Sequence, residues 1–492
     1  MLTVSTSTGA QGAVRTAAIA RSVQAPRVDP VEAFPADDSA LLRKLQMLQT
    51  PLARTRSLVR TRNALHSMSI GSTADLWVQK GSLSGSRVNA QVPATLLAQS
   101  QHANIWVDSS LSLSQSELAQ VQADFENAYA SDTAHFASPD YGSNAPGMQP
   151  QYTTCAQGGA KQGTGAAYIQ EPADHRIDVM IVNSSNLGGL GGYFSGANLM
   201  TQSTLNCLNG SNTTYESNEA PFIFVGWFAD SGTNYVLQED LVRSTAHEFQ
   251  HLINFVNHSI LAPGASSSSF NGYEETYINE GLSMLAQDLA VQRMYGAHGV
   301  QFDVDDAMSR ATVYLSAPSQ YSLTAFSGID PSSWGGNGSA QYNCGGGCYG
   351  GAYLFERYLR DRFGGDEYTH EMETSGVVGD QNLQAATGES ESSLIGDFTL
   401  AMAANTLQVN SPDSRFRFGS LNLTGTYADQ FGQSTSLTGV SALPYSGTGM
   451  SVNAPLGGVA FVRISSVPAA GTPISVTTST PSFALQGGLA QK

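Results

Sequence analysis

Leu241, Val242, Ala246, Phe249, Leu252, Ile253 and Val256 recur at spacings of three and four, with neither Pro nor Gly among them. That period predicts an amphipathic helix of about five turns. Glu239 and Asp240 open it, where the helix dipole favours negative charge, and Pro263-Gly264 lies beyond its end. Ile278, Leu282, Leu285 and Leu289 mark the apolar face of a second helix. Upstream, Ser114-Gln115-Ser116-Glu117 has the form of a capping box, with Leu118, Val121, Phe125 and Tyr129 as the buried stripe behind it. Two later helices are predicted, one from Tyr349 to a cap at Gly364-Gly365 and one from Leu394 to Leu407.

Short apolar and β-branched runs predict strands at Leu76-Trp77-Val78, Ala103 to Val107, Ile177 to Val182 and Phe222 to Phe228, the last two buried. After residue 410 the chain turns to Gly, Ser, Thr and Val with turn signals throughout. Val459 to Ile464 and Ile474 to Thr477 read as strands of a small β-sandwich with no catalytic constellation. Residues 1–70 carry one element signal, a helix from Ser39 to Leu48. The expected organisation is α+β: an N-terminal arm (1–70), a central region with a mixed sheet and helices (71–410), and a β-rich C-terminal domain (411–492).

The first helix carries His247-Glu248-Phe249-Gln250-His251. Residues four apart share a helix face, so both imidazoles can grip one zinc ion while Glu248 reaches a water on it. Zinc acidifies that water and a nearby carboxylate can take its proton, which makes Glu248 a candidate general base. A catalytic zinc usually takes three protein ligands. A third histidine two turns on is excluded: the required glycine and histidine positions hold Asn254 and Asn257, and His258 is one residue too late. A glutamate from the second helix is available in Thr276-Tyr277-Ile278-Asn279-Glu280-Gly281.

At these residues the chain resembles the glutamate-zincins, which carry an Asn-Glu pair on a helix after the H-E-x-x-H helix. The run Ala246 to Phe255 followed by Asn279 to Leu282 is most similar to the hyicolysin-type secreted bacterial metallopeptidases. Asp75 to Val78, Ile177 to Asn183 and Gly191 to Phe194 look similar too. The resemblance covers roughly residues 70 to 410, with specific motifs at the zinc site alone. It implies a zincin-like core, a single zinc held by His247, His251 and Glu280, and Glu248 as the catalytic residue. Zincins place a sheet above the first helix, and either Ile177 to Val182 or Phe222 to Phe228 could be the edge that pairs with substrate. Two departures stand out. The loop from His251 to Glu280 is long, with a serine run at Ser266 to Ser269, and Met284 occupies a position where thermolysin-like enzymes carry an Asp that orients a ligand histidine. The partner of that histidine must come from elsewhere, and Asp288 is one candidate. In leukotriene-hydrolase-like peptidases a tyrosine serves the oxyanion; Tyr349 is the nearest match, with a packing role as the alternative, and Tyr277 and His258 are weaker candidates.

Charge narrows the partners. The net charge is −17 and only 13% of residues are charged, which argues against nucleic acid and anionic membranes, since phosphate binding needs clustered Lys and Arg. The charge is uneven: residues 1–66 hold nine Lys/Arg against four Asp/Glu, and the remainder 14 against 36. A basic arm on an acidic body suggests a pro-segment, with Arg54-Thr55-Arg56 and Arg60-Thr61-Arg62 as processing sites; a plain helix with a basic flank is the alternative. Cys155, Cys207, Cys344 and Cys348 allow three pairings. The close spacing of Cys344 and Cys348 allows a local disulfide, with Cys155–Cys207 as the second, and two disulfides imply an oxidising compartment. No apolar run is long enough to span a membrane, and no signal-peptide core is visible. Asp303, Asp305 and Asp306 could bind calcium or form a solvated acidic loop. The sequence thus points to a secreted (extracellular or periplasmic) zinc metalloendopeptidase acting on protein or peptide substrates, its oligomeric state not legible. The alternatives are an exopeptidase on the same site and a non-catalytic zinc-containing surface or adhesion protein.

Overall fold

The computed structural model describes residues 2–6, 65–80, 88–140, 168–169, 171–187, 191–202, 205, 216–227, 234–261, 274–296, 301–324, 344–409, 411–428, 434–444, 450–452, 458–463 and 474–478. The fold is α+β. The first strand, β1 (Leu2–Thr6), runs antiparallel between Met450–Val452 and Ile474–Thr478 in a small sheet of its own. The central sheet has six strands: β2 (Thr73–Lys80), β3 (Val88–Gln99), β4 (Ala103–Asp108), β5 (Ile177–Asn183), β6 (Gly192–Phe194) and β7 (Phe222–Trp227). Their order is β2-β3-β4-β5-β7-β6. β4, β5 and β7 are parallel, with Ile105, Val179 and Ile223 in register; β2, β3 and β6 pair antiparallel with their neighbours.

The period-two geometry of a strand sorts the core into two faces. Ile105, Val107, Val179, Ile181, Ile223 and Val225 pack with apolar residues of two helices, α1 (Gln115–His135) and α2 (Asn234–Phe255). Trp106, Met180, Val182 and Phe224 pack with Leu76 and Val78 on the other face. Covered on both faces, β4, β5 and β7 read as nearly unbroken apolar runs. α1 starts at the predicted capping box, with Ser114 and Glu117 bonded reciprocally. Its Phe125 and Tyr129 hold Phe249 of α2, at ring-centroid distances of 5.7 Å and 5.3 Å. Neither segment expected as a possible sheet edge is one: Ile177–Asn183 and Phe222–Trp227 lie inside the sheet as β5 and β7, and the strand at the end beside them is the short antiparallel β6.

A second core joins α3 (Thr276–Tyr295), α4 (Ala307–Ser316), α5 (Cys344–Arg362), α6 (Asp366–Thr374), α7 (Asp380–Thr387) and α8 (Glu391–Thr406). The start of α5 corrects the sequence reading, which placed it at Tyr349. Glycines inside these helices mark where the helices meet closely. A Cβ at Gly350 would stand 2.0 Å from the Arg310 carbonyl oxygen of α4. Gly281 does the same between α3 and α5, where a Cβ would stand 2.9 Å from the Ala352 carbonyl oxygen. The core also continues past residue 411, since Phe418, Leu421, Leu423, Leu437 and Val440 belong to it. Beyond it the described strands are short: Thr426–Ala428 pairs with Ser434–Ser436, and Leu443–Pro444 with Val462–Arg463.

The helix expected at Ser39 to Leu48, both Arg-Thr-Arg steps, and Cys155 and Cys207 lie outside the described residues. Cys348 is disulfide-bonded. At the end of the arm, His66 contacts Asp174 through Nδ1 (2.7 Å) and Asp178 through Nε2 (2.5 Å), tying residues 65–67 to β5. Among the described residues no helix is long and apolar enough to cross a membrane.

Candidate metal centre

His247 and His251 lie one turn apart on α2, and Glu280 faces them from the second turn of α3. One ligand atom from each of the three comes within 4.8 Å of the other two, and all three residues are buried. Glu280 Oε2 is 3.2 Å from His247 Nε2 and 3.6 Å from His251 Nε2. The two imidazole planes cross at 82°, so their Nε2 atoms approach the carboxylate from different directions. The sequence motif is thereby a spatial cluster.

The outer nitrogens are held as well. His247 Nδ1 lies 3.1 Å from Gln287 Oε1. Carbonyl oxygens accept only, so this nitrogen carries the proton and Nε2 presents its lone pair inward. His251 Nδ1 lies 3.0 Å from Asn279 Oδ1 and 2.9 Å from Ser283 Oγ. Ser283 in turn donates to Gln250, whose Nε2 donates to Glu373 at 2.7 Å. Both candidate ligands are therefore oriented by neutral side chains from α3. That supplies the outer contacts a ligating histidine needs.

Does this set suit a metal? Glu280 Oε1 is buried with no hydrogen-bond partner, a costly state for a carboxylate oxygen unless a cation faces it. Without an ion, burial would raise the Glu280 carboxyl and protonated His251 and His247 would outweigh that and hold it at about 2; a bound cation would take the place of those protons. An ionised carboxylate and two inward-facing imidazole nitrogens form the N,N,O donor set that binds zinc-class divalent cations. The residues fit such an ion.

Glu248 is buried on α2 beneath the edge strand. A Cβ built on Gly192 of β6 would stand 2.9 Å from Glu248 Cγ and 3.1 Å from its Oε1, so bare backbone packs directly on this side chain. Tyr349 of α5 also borders the site: its ring centroid is 6.4 Å from that of His247, and the Arg310 guanidinium lies 5.0 Å from it.

Other sequence candidates fall elsewhere. Asp288, expected as a possible partner of a ligand histidine, instead accepts from the Asp303 N–H, Tyr353 and Arg357. Met284 is in the second core. His258 bonds the Met372 carbonyl oxygen at 2.9 Å in the π-helical turn after α2, and burial pushes its imidazole down to about 4. Tyr277 donates to Glu391. Asp303, Asp305 and Asp306, the possible calcium loop, already face protein cations: Arg243 contacts Asp303 at 3.2 Å and Asp305 at 3.5 Å, and Arg310 contacts Asp306 at 2.5 Å. Asp140, Glu171 and His175 form a second, more exposed trio. Gln287 and Ser283 escaped the sequence reading. The signal was there, since residues three and seven beyond Glu280 return to its helix face. No protein-family model matches the chain, and no curated protein matches it.

Proposed function

We propose that the protein is a zinc-dependent metalloendopeptidase with a zincin-like core, secreted to an extracellular or periplasmic compartment. The observation that carries this reading is the buried convergence of His247, His251 and Glu280, with buried Glu248 next to His247 on α2. His247, His251 and Glu280 would hold the ion. When bound, it would polarise the scissile carbonyl and acidify a water. Glu248 takes the proton of the attacking water and returns it to the leaving amine. β6, the last strand of the described sheet and packed on Glu248, is the strand along which an extended substrate would run. Tyr349 stands beside His247 as the side chain nearest to hand for the developing oxyanion. The motif resemblance to hyicolysin-type peptidases supports the same reading.

A protein mixture digested with the purified chain and read by mass spectrometry tests this. Cleavage inside chains is expected, including in peptides with blocked N-termini, and a chelator should abolish it. Glu248→Gln should retain zinc and lose about 10²- to 10⁴-fold in rate, the usual worth of a general base. Undiminished cleavage by that variant would overturn the mechanism.

A further inference from the structure

Gln287 sits where a metal site commonly places a carboxylate, and its surroundings decide which way its amide points. Its Nε2 lies 2.6 Å from Asp303 Oδ2 and 2.9 Å from Asp306 Oδ2. An ionised carboxylate only accepts, so the NH₂ end must face these two oxygens. The carbonyl end is then left to face His247 Nδ1, at 3.1 Å. Burial would raise Asp306, but Arg310 and Arg243 outweigh that and hold it below the usual carboxylate range, while burial raises Asp303 to about 6 despite Arg243. The aspartates are fixed in turn. Arg243 lies one turn before His247 on α2 and reaches Asp303, Arg310 reaches Asp306, and the Asp303 N–H donates to Asp288 at 2.6 Å.

We infer that Gln287 is the positioning residue that sets the tautomer and ring angle of His247, with Asp303 and Asp306 locking the direction of its amide. This rests on the proposed metal site and adds its control. The histidine is oriented by a neutral oxygen, so no negative charge is added beside the ligands, while the orienting group is itself clamped by charge. Asp303, Asp305 and Asp306 thereby acquire a role other than cation binding. They form the rigid backing of one ligand.

Gln287→Met keeps the length of the side chain and removes the acceptor. Zinc affinity, measured by competition with a chromophoric chelator, is expected to fall about 10- to 100-fold, the usual cost of losing such an outer contact. In the zinc-loaded wild type, the His247 Nδ1 proton should give a slowly exchanging NMR resonance. It should exchange freely in Gln287→Met, while that of His251, held by Asn279 and Ser283, stays protected. The double variant Asp303→Asn, Asp306→Asn keeps Gln287 but frees its amide to turn over, and should show the same His247 signature. Circular dichroism separates these effects from unfolding. Zinc affinity within twofold of wild type in Gln287→Met, or a His247 proton as protected as before, would overturn the inference. So would a wild-type His247 that lacks an Nδ1 proton, which needs no variant to fold. A wild type that takes up no zinc would sink the metal site and this inference together. One that binds zinc tightly but cleaves nothing would sink the peptidase reading and leave Gln287 in place.

Discussion

Gly192→Ala is a one-methyl test of whether Glu248 is held by the sheet edge. The added Cβ would stand 2.8 Å from the Phe224 carbonyl oxygen and 2.9 Å from Glu248 Cγ. Non-bonded carbon contacts settle at about 3.5–4.0 Å, so the methyl is too close to both by roughly 0.5–1 Å. Phe224 belongs to β7, locked between β5 and β6, and its oxygen cannot recede without opening that ladder. The strain must go into β6, which is three residues long and at the sheet's end, and into Glu248. Overpacking of this kind costs about 1–3 kcal/mol, and each kcal/mol lowers Tm by about 2–4 °C in a domain of ordinary size. A reactive group misplaced by about 1 Å can lose roughly 100-fold in rate. None of the three atoms nearest the added methyl belongs to His247, His251 or Glu280, so zinc content should hold. The assay is kcat/KM on an internally quenched peptide, with zinc per chain and a thermal melt on the same samples. A 10- to 100-fold fall at full zinc is the outcome expected from these contacts. A melt that drops as expected while kcat/KM stays within twofold would refute the reasoning, since Glu248 would then work without the strand above it.

Asp288→Ala should cost more stability than metal affinity. It leaves buried Arg357 without its 2.6 Å partner, which costs about 3–5 kcal/mol, and frees only the Asp303 N–H behind the Gln287 clamp, so zinc affinity should fall by about threefold at most, against the larger loss from Gln287→Met; comparable affinity losses in the two would merge their roles. Burial raises the Glu373 carboxyl to about 8 despite donation from Gln250 and Asn254. The native state therefore holds a proton that the unfolded chain releases near its ordinary value of about 4.5. Stability from this group is complete below that value and is lost as pH rises toward 8. Glu373→Gln cannot ionise, so its Tm relative to wild type should climb between pH 5 and pH 8. A constant difference across that window would show that Glu373 is ionised in the fold.

Periodicity made the two site helices legible because each carries its apolar stripe and its polar chemistry on separate faces. The two histidines were legible for the same reason: a four-residue spacing fixes a shared helix face whatever the tertiary fold. Glu280, on another helix, was singled out through the resemblance to the glutamate-zincins. The sheet edge was not. β6 is three residues, Gly192-Tyr193-Phe194, too short for any alternation to register, and its identity depends on β7 pairing between it and β5. The start of α5 was hidden by composition. Gly345, Gly346 and Gly347 signal a turn locally; a Cβ at Gly347 would meet the Tyr321 ring at 2.3 Å, and the close passage of α4 makes glycine the right residue at Gly350 and Gly351 further along the helix. Asp288 drew attention as a carboxylate near Glu280, but eight residues on it has rotated about 80° from the ligand face, whereas Gln287 at seven is within about 20°. Charge was the wrong guide to that contact, and helix phase was the right one.

The same distinction explains how α2 can be packed among so many acids and still present a cation site. Asp303 and Asp306 face Arg243 and Arg310. Asp132, fully buried with neither carboxylate oxygen bonded, is pushed far above its usual range by burial and keeps its proton, as Glu373 does near neutrality. Asn279, Ser283 and Gln287 meet the histidines as neutral groups. Glu280, by contrast, is ionised at the ligand cluster with one oxygen unsatisfied. A lone buried charge is among the costliest things a protein can hold. A divalent ion bound by His247, His251 and Glu280 would relieve that cost and retain a net positive charge, whereas acidic partners in place of Gln287 and Asn279 would cancel it. Neutral orienting groups fix the two histidines while leaving the ion its full charge, where a carboxylate would fix them and also raise their basicity.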